Sequence, residues 1–110
     1  MAREDEIIKR LKGREVRPAT PGELLADLIE GNNLTQGQVA QQIGVSRITL
    51  NRVIQGHRSM TPDMAYRLGR FFGNGPEIWL KFQQQVDLWD ALHLDQEPYE
   101  HIQPLQREAA

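Results

Sequence analysis

The sequence predicts an all-α fold of five short helices, with a short N-terminal extension and a C-terminal tail. Two observations carry this. Apolar residues recur at helical spacing in five separate stretches. Those stretches are punctuated by Thr, Ser or Pro at their starts and mostly by Gly at their ends. No internal repeat or low-complexity tract interrupts the pattern. The expected divisions are an extension over residues 1–16, one domain over 17–93 and an acidic, proline-containing tail over 94–110.

Taken in order, Arg3 to Lys12 carries Ile7, Ile8 and Leu11 on one side and is compatible with a short helix, broken by Gly13 and Pro18. The first full helix starts at Thr20-Pro21-Gly22-Glu23. Thr20 is the cap, Pro21 fills the first position and Glu23 completes a capping box. Leu24, Leu25, Leu28 and Ile29 form its apolar stripe, which stops near Gly31. Thr35 caps the second helix, with Gln38 at capping-box spacing and Val39, Ala40 and Ile43 facing inward. Gly44 ends it in a left-handed conformation that costs glycine no Cβ clash. Ser46 caps the third helix, where Leu50, Val53 and Ile54 are the buried stripe and Gly56 the stop. Thr61-Pro62-Asp63 starts the fourth, with Met64, Ala65, Leu68, Phe71 and Phe72 apolar and Gly73 closing. The fifth starts at Pro76, capped by Gly75, and runs to about Leu92. Two prolines and many charges after Leu94 predict an extended tail, with His101-Ile102-Gln103 as a short strand.

A chain of 110 residues holds one small core. No apolar run approaches the ~18 residues of a membrane span, and alternating acid and base at the N-terminus does not resemble a cleavable signal. Without cysteine there are no disulfides and no thiolate metal sites. Net charge is slightly acidic, yet unevenly distributed. Gly44 to Arg70 holds five arginines against Asp63, a surplus of four positive charges. Pro76 to Ala110 carries seven acids against two bases. A basic centre suits phosphate, while the acidic end faces elsewhere.

Leu34 to Gly56 reads as two short helices around a tight turn, the layout of a helix-turn-helix that puts its second helix into the DNA major groove. Gly44-Val45-Ser46 supplies the bend, a core plug and a cap, and small Ala40 permits close packing. With Ile43, Val45, Leu50 and Val53 inward, Arg47, Ile48, Asn51 and Arg52 face base edges. Arg pairs bidentately with guanine and Asn with adenine, and Ile48 suits a thymine methyl, each good bidentate pair discriminating by ~1–3 kcal/mol. Backbone phosphates are expected at Thr35, Gln36 and Gln38 on one helix start, at Ser46 and Thr49 beside the turn, and at His57 and Arg58 downstream. The expected ligand is therefore double-stranded operator DNA, and the expected location the cytoplasm.

One such unit covers half a site, and two are needed about 34 Å apart. Ile78, Trp79, Phe82, Val86, Trp89 and Leu92 give the fifth helix more large apolar residues than a small core requires. The first five are the expected homodimer interface. The alternative is that the tryptophans close the monomer core. His57, His93 and His101 lack ligand spacing, so no metal or other cofactor is expected. Asp87 and Asp90 read as surface charges, and no catalytic motif is present, which argues against an enzyme.

GVSRITLNRVIQG resembles the phage Cro and repressor type of DNA-binding domain, the XRE family, and implies a lambda-repressor-like arrangement. A narrower resemblance spans Arg17 to Leu92. RPATPGELL is similar to the RPxHPGEIL opening of HigA-type (VapI-like) antitoxins. TPDMAYRLGRFFGNGPEIWLKFQQQVDLWDA is similar to their TPxxALRLARxFGTSPEFWLNLQxxYDLWxA block, and HIQPL to their I-x-P-L. This sequence has Gly-Asn-Gly where the family has Gly-Thr-Ser, and Ile48 where related domains more often carry a polar residue. The resemblance implies DNA contacts at Gln36, Arg47, Ile48, Asn51 and Arg52. It further implies a homodimer that represses its own operon and neutralises a HigB-type, ribosome-dependent RNase toxin. Two other readings stand beside it: a solitary XRE-family regulator with no toxin, and an interaction module acting mainly by binding the toxin.

Overall fold

The computed structural model describes residues 2–13 and 15–106, and is helical throughout its regular elements. Among these residues there are seven helices: α1 Ala2–Lys12, α2 Pro21–Gly31, α3 Gln36–Ile43, α4 Arg47–Ile54, α5 Pro62–Phe72, α6 Glu77–His93 and α7 Glu97–Glu100. The expected five are α2 to α6. α1 is the short helix that Arg3 to Lys12 allows, and the addition is a single turn, α7, within a tail that otherwise has no regular structure over 94–96 and 102–106. No strand forms at His101 to Gln103: residue 101 lies in a turn where the Ile102 amide donates to the Tyr99 carbonyl at 3.0 Å, and the Ile102 side chain is exposed. Of the residues expected to act in the termini, the side chain of Ile7 and the charges Arg107 and Glu108 lie outside the described side chains.

Local chemistry accounts for the boundaries. Thr20 Oγ1 accepts from the Glu23 amide at 3.1 Å, and Glu23 Oε2 accepts from the Thr20 amide at 3.3 Å. Thr35 and Gln38 form the same reciprocal pair, at 3.1 and 2.8 Å. Each pair satisfies two helix-start amides that have no intrahelical partner. Thr61 and Ser46 cap α5 and α4 from the side chain alone. Gly44 ends α3 at φ +76°, where a β-carbon would clash. α6 departs from expectation by one residue. It starts at Glu77 behind Pro76, which offers no side-chain cap.

α2 packs on α4 and α6, α3 on α4 and α5, and α6 also on α5 and α1. The core they enclose is Leu25, Ile29, Val39, Ala40, Ile43, Leu50, Val53, Met60, Met64, Ala65, Leu68 and Trp79. Two glycines allow the tightest crossings. A Cβ on Gly22 would lie 2.8 Å from the Ile54 carbonyl carbon and closer still to the oxygens of Val53 and Ile54. A Cβ on Gly69 would lie 2.7 Å from the Pro76 nitrogen. The first contact fixes α4 against α2, and the second fixes the α5–α6 corner.

Polar ties hold α6 to the rest. Trp79 is fully buried and its indole Nε1 donates to Asn74 Oδ1 at 3.1 Å. The Met60 amide donates to Gln83 Oε1 at 2.8 Å. Asp90 is not a free surface charge. Arg17 grips it through two bonds, Nε to Oδ1 at 2.8 Å and Nη2 to Oδ2 at 2.7 Å. That contact lowers the Asp90 pKa and raises that of Arg17, against an opposing desolvation effect. The N-terminal helix is anchored beside it, with Leu11 buried and His93 Nε2 2.9 Å from the Lys12 carbonyl oxygen.

Candidate nucleic-acid interface

α3 and α4 meet around the Gly44-Val45-Ser46 turn, with Val45 half-buried against the core as the turn requires. The inward residues Leu50 and Val53 of α4 are buried, which turns the opposite side outward. On that side Gln36, Arg47, Ile48, Asn51 and Arg52 line one shallow depression. The structure thus brings together all four expected base-reading residues and the first residue of α3. Arg47 and Arg52 are exposed, and Ile48 keeps 71% of its surface, which leaves its side chain free for contact from outside.

Around this depression the hydroxyls and amides are already ordered. Ser46 Oγ accepts from the Thr49 amide at 3.0 Å and donates to Thr49 Oγ1 at 2.8 Å. Ser46 therefore acts as a cap with its hydroxyl hydrogen engaged, and the Thr49 hydroxyl retains a free one. Thr35 and Gln38 are engaged through acceptor oxygens, so the Gln38 amide hydrogens remain unengaged in the capping box. Asn51 is half-buried, and its Nδ2 donates to Gln36 Oε1 at 3.1 Å across the two helices. This pairing was not visible in the sequence. Gln36 and Asn51 are fifteen positions apart, and only the packing of α3 on α4 makes them neighbours.

His57 and Arg58 are exposed just beyond α4, and both of their backbone amides donate to the Arg52 carbonyl, at 2.9 and 3.2 Å. Arg58 does not join the depression above. It lines a separate cleft with Arg17, Thr20 and Gln83. The basic surplus counted in the sequence is divided in the same way. Arg67 Nη1 donates to the Ile43 carbonyl at 2.7 Å, closing the end of α3, while its Nε donates to Asp63 at 2.9 Å. Arg70 stands 5.7 Å from the centre of the Tyr66 ring. Two of the five arginines therefore have structural partners on α5.

The expected interface residues on α6 are also divided. Trp79 and Val86 are buried in this chain, at 0% and 2% exposure, so their side chains are not available to a second copy. The correction follows from helix length. α6 contacts α5, α2 and α1, and its apolar face is long because it packs on three helices of the same chain. Ile78, Phe82 and Trp89 stay half-buried, Trp89 stacked on His93 with ring centres 4.2 Å apart. Among the described residues no group of three or more His, Cys, Asp or Glu side chains is placed to hold a metal ion, and no helix is long and apolar enough to cross a membrane.

Comparison with known proteins agrees with this geometry. The helix-turn-helix family model matches residues 25–80. Antitoxin HigA-1 of Vibrio cholerae serotype O1 is 37% identical over 90 residues, covering 81% of this chain and 85% of that protein. The structure of an addiction module antidote protein of a HigA family from Coxiella burnetii is 33% identical with a TM-score of 0.74, over 82% of this chain and 100% of that one. The Pseudomonas aeruginosa antitoxin HigA, solved with the higBA promoter, is also 33% identical with a TM-score of 0.74, over 82% of this chain and 100% of that one.

Proposed function

The chain belongs to the helix-turn-helix family in its HigA-type antitoxin branch, and on that premise we propose that it is a dimeric operator-binding repressor that also neutralises a HigB-type RNase toxin. One observation carries the DNA reading: Gln36, Arg47, Ile48, Asn51 and Arg52 converge on one outward depression of α3 and α4. α4 enters the major groove, where Arg47 and Arg52 donate to guanine, Asn51 pairs with adenine and Ile48 packs on a thymine methyl. Phosphates are held by the α3 start at Thr35, Gln36 and Gln38, by Ser46 and Thr49 at the turn, and by His57 and Arg58 below α4. Repression is steric, with two copies covering successive grooves of the chain's own promoter.

The second copy docks along α6 through Ile78, Phe82 and Trp89, the half-buried members of its apolar set. The toxin meets the acidic C-terminal segment. There Tyr99, Ile102 and Leu105 are exposed beside Asp95, Glu97 and Glu100, a combination suited to a basic partner. The test is co-purification of the chain with the product of the adjacent reading frame, for the full chain and for one ending at Leu94. Loss of the partner on truncation supports the tail as the inhibitory surface. Undiminished binding moves that surface elsewhere, and no partner at all leaves a solitary regulator.

A further inference from the structure

His93 ends α6 with both nitrogens of its ring engaged. Nε2 stands 2.9 Å from the Lys12 carbonyl oxygen at the end of α1, and Nδ1 stands 3.0 Å from the Trp89 carbonyl oxygen one turn back on α6. Both partners can only accept. A neutral imidazole carries one N–H, so it bonds one carbonyl and turns a lone pair toward the other. The imidazolium carries two and bonds both. Turning the ring over would set carbon atoms against both carbonyls, which bonds neither. Two other features favour the charged ring. It stacks on the Trp89 indole with centres 4.2 Å apart and planes 13° apart, where a cation meets the electron-rich face. It also lies in the last turn of a 17-residue helix, where the carbonyl ends of the peptide dipoles attract positive charge.

We propose that His93 is a pH-sensitive latch whose imidazolium ties α1 to the end of α6 and whose neutral form loosens it. α1 depends on such a tie. It packs on α6, with Leu11 buried beside Gln84, Gln85 and Leu88. Eleven residues are marginal as an isolated helix in water, so α1 released from α6 unfolds. Around the ring, α1 brings Lys9, Arg10 and Lys12, and the segment after it brings Glu15 and Arg17. α6 brings Asp90, and the turn beyond it Asp95. Arg17 and Asp90 are bonded to each other. The others are exposed, screened by water and close to balanced in sign, and among the described residues none pairs with the ring. The two carbonyl contacts therefore decide how firmly each form of the ring holds α1. The latch opens as pH rises through the ordinary histidine range, whereas the Arg17–Asp90 bridge fails only in acid.

The test is a series from about pH 5 to about pH 8 on the full chain, followed by nuclear magnetic resonance. Backbone Cα shifts read whether α1 is helical, and ring nitrogen shifts read the protonation of His93 itself. The expected result is that the ratio of docked to released α1 falls about tenfold from the acid to the alkaline end, along the same curve as the His93 ring. His93→Gln keeps an amide donor that does not titrate, and should hold α1 equally throughout the series. His57→Gln and His101→Gln leave the latch intact and should keep the wild-type response. An α1 whose helicity is unchanged across the series in the wild-type protein overturns the latch. So does a pH response that survives in His93→Gln, and so does a ring that carries a single proton at the acid end while α1 is docked. The wild-type series decides the matter even where His93→Gln fails to fold.

Discussion

Replacing Gly22 by alanine will destabilise the domain although it places a better helix former in a helix. The added Cβ would stand 2.8 Å from the carbonyl carbon of Ile54, with the oxygens of Val53 and Ile54 nearer still. Carbon atoms in contact sit about 3.5–4.0 Å apart, so α2 and α4 must separate by about 1 Å. The obstructing atoms are backbone and cannot rotate away as a side chain would. Overpacking of this kind costs about 1–3 kcal/mol, and the propensity gain of alanine over glycine returns at most about 1 kcal/mol. The expected net loss is about 1 kcal/mol, or about 4 °C in Tm for a domain of this size. Gly31→Ala is the control. It lies at the end of the same helix with nothing within 4 Å of its Cβ, and should be neutral or stabilising by up to about 1 kcal/mol. The assay is thermal unfolding by circular dichroism of both variants beside the wild type. A Gly22→Ala protein as stable as wild type would refute the close-approach argument. Specific DNA binding by this variant should also weaken at temperatures where it remains folded, because α4 carries the side chains proposed to read DNA.

Three further outcomes follow from the same packing. Trp79→Ala should cost about 3–5 kcal/mol, since the ring is wholly enclosed, and equilibrium denaturation reads it directly. Asn74→Ala should cost about 1–3 kcal/mol by stranding the buried indole N–H, a loss that Trp79→Phe in the same background should not add to in full. The Arg17–Asp90 bridge should contribute about 0.5–1 kcal/mol near neutrality, modest because both ends reach water. Its pH dependence has a definite sign. Asp90 has a lowered pKa in the fold, so the contribution is whole above the ordinary aspartate range near about 4 and is lost as pH falls through the lowered value. A denaturation series from neutral to acid should therefore show a slope that Asp90→Asn removes, and an unchanged slope would remove the bridge from the account.

The helix boundaries were legible because their signals are local. A threonine, a proline and an acid within four positions specify a helix start wherever the chain goes next, and Gly44 specifies a stop by its backbone alone. The outward direction of the proposed reading residues was legible for a related reason. Once Leu50 and Val53 are assigned inward, helical geometry leaves few directions for Arg47, Ile48, Asn51 and Arg52. What sequence could not supply were contacts between distant positions. Arg17 and Asp90 are separated by 73 positions, and Gln36 and Asn51 by 15. Nothing in either segment names its partner. Met60 was overlooked because it stands alone between helices, outside any periodic stripe, yet it is buried, with its amide held by Gln83 of α6. Gly22 and Gly69 looked like ordinary helix residues, and their role appears only when a neighbouring backbone is close enough to exclude a methyl group. Trp79 and Val86 show the converse problem. Periodicity marks a helix face as apolar, but both a core and an interface require such a face, and only the packing distinguishes them.

The central claim is that the exposed side of α4 reads operator DNA. The most direct measurement is binding of the purified protein to its own upstream DNA across a salt series, beside the Arg47→Ala, Arg52→Ala double variant. The account predicts specific binding whose logarithm falls steeply with log salt, by about 0.9 per phosphate neutralised. It also predicts a double variant that melts like wild type, because both side chains are exposed, yet has lost the specific complex. Full affinity in the folded double variant, or a folded wild-type protein that binds its upstream DNA no better than unrelated DNA, would contradict it.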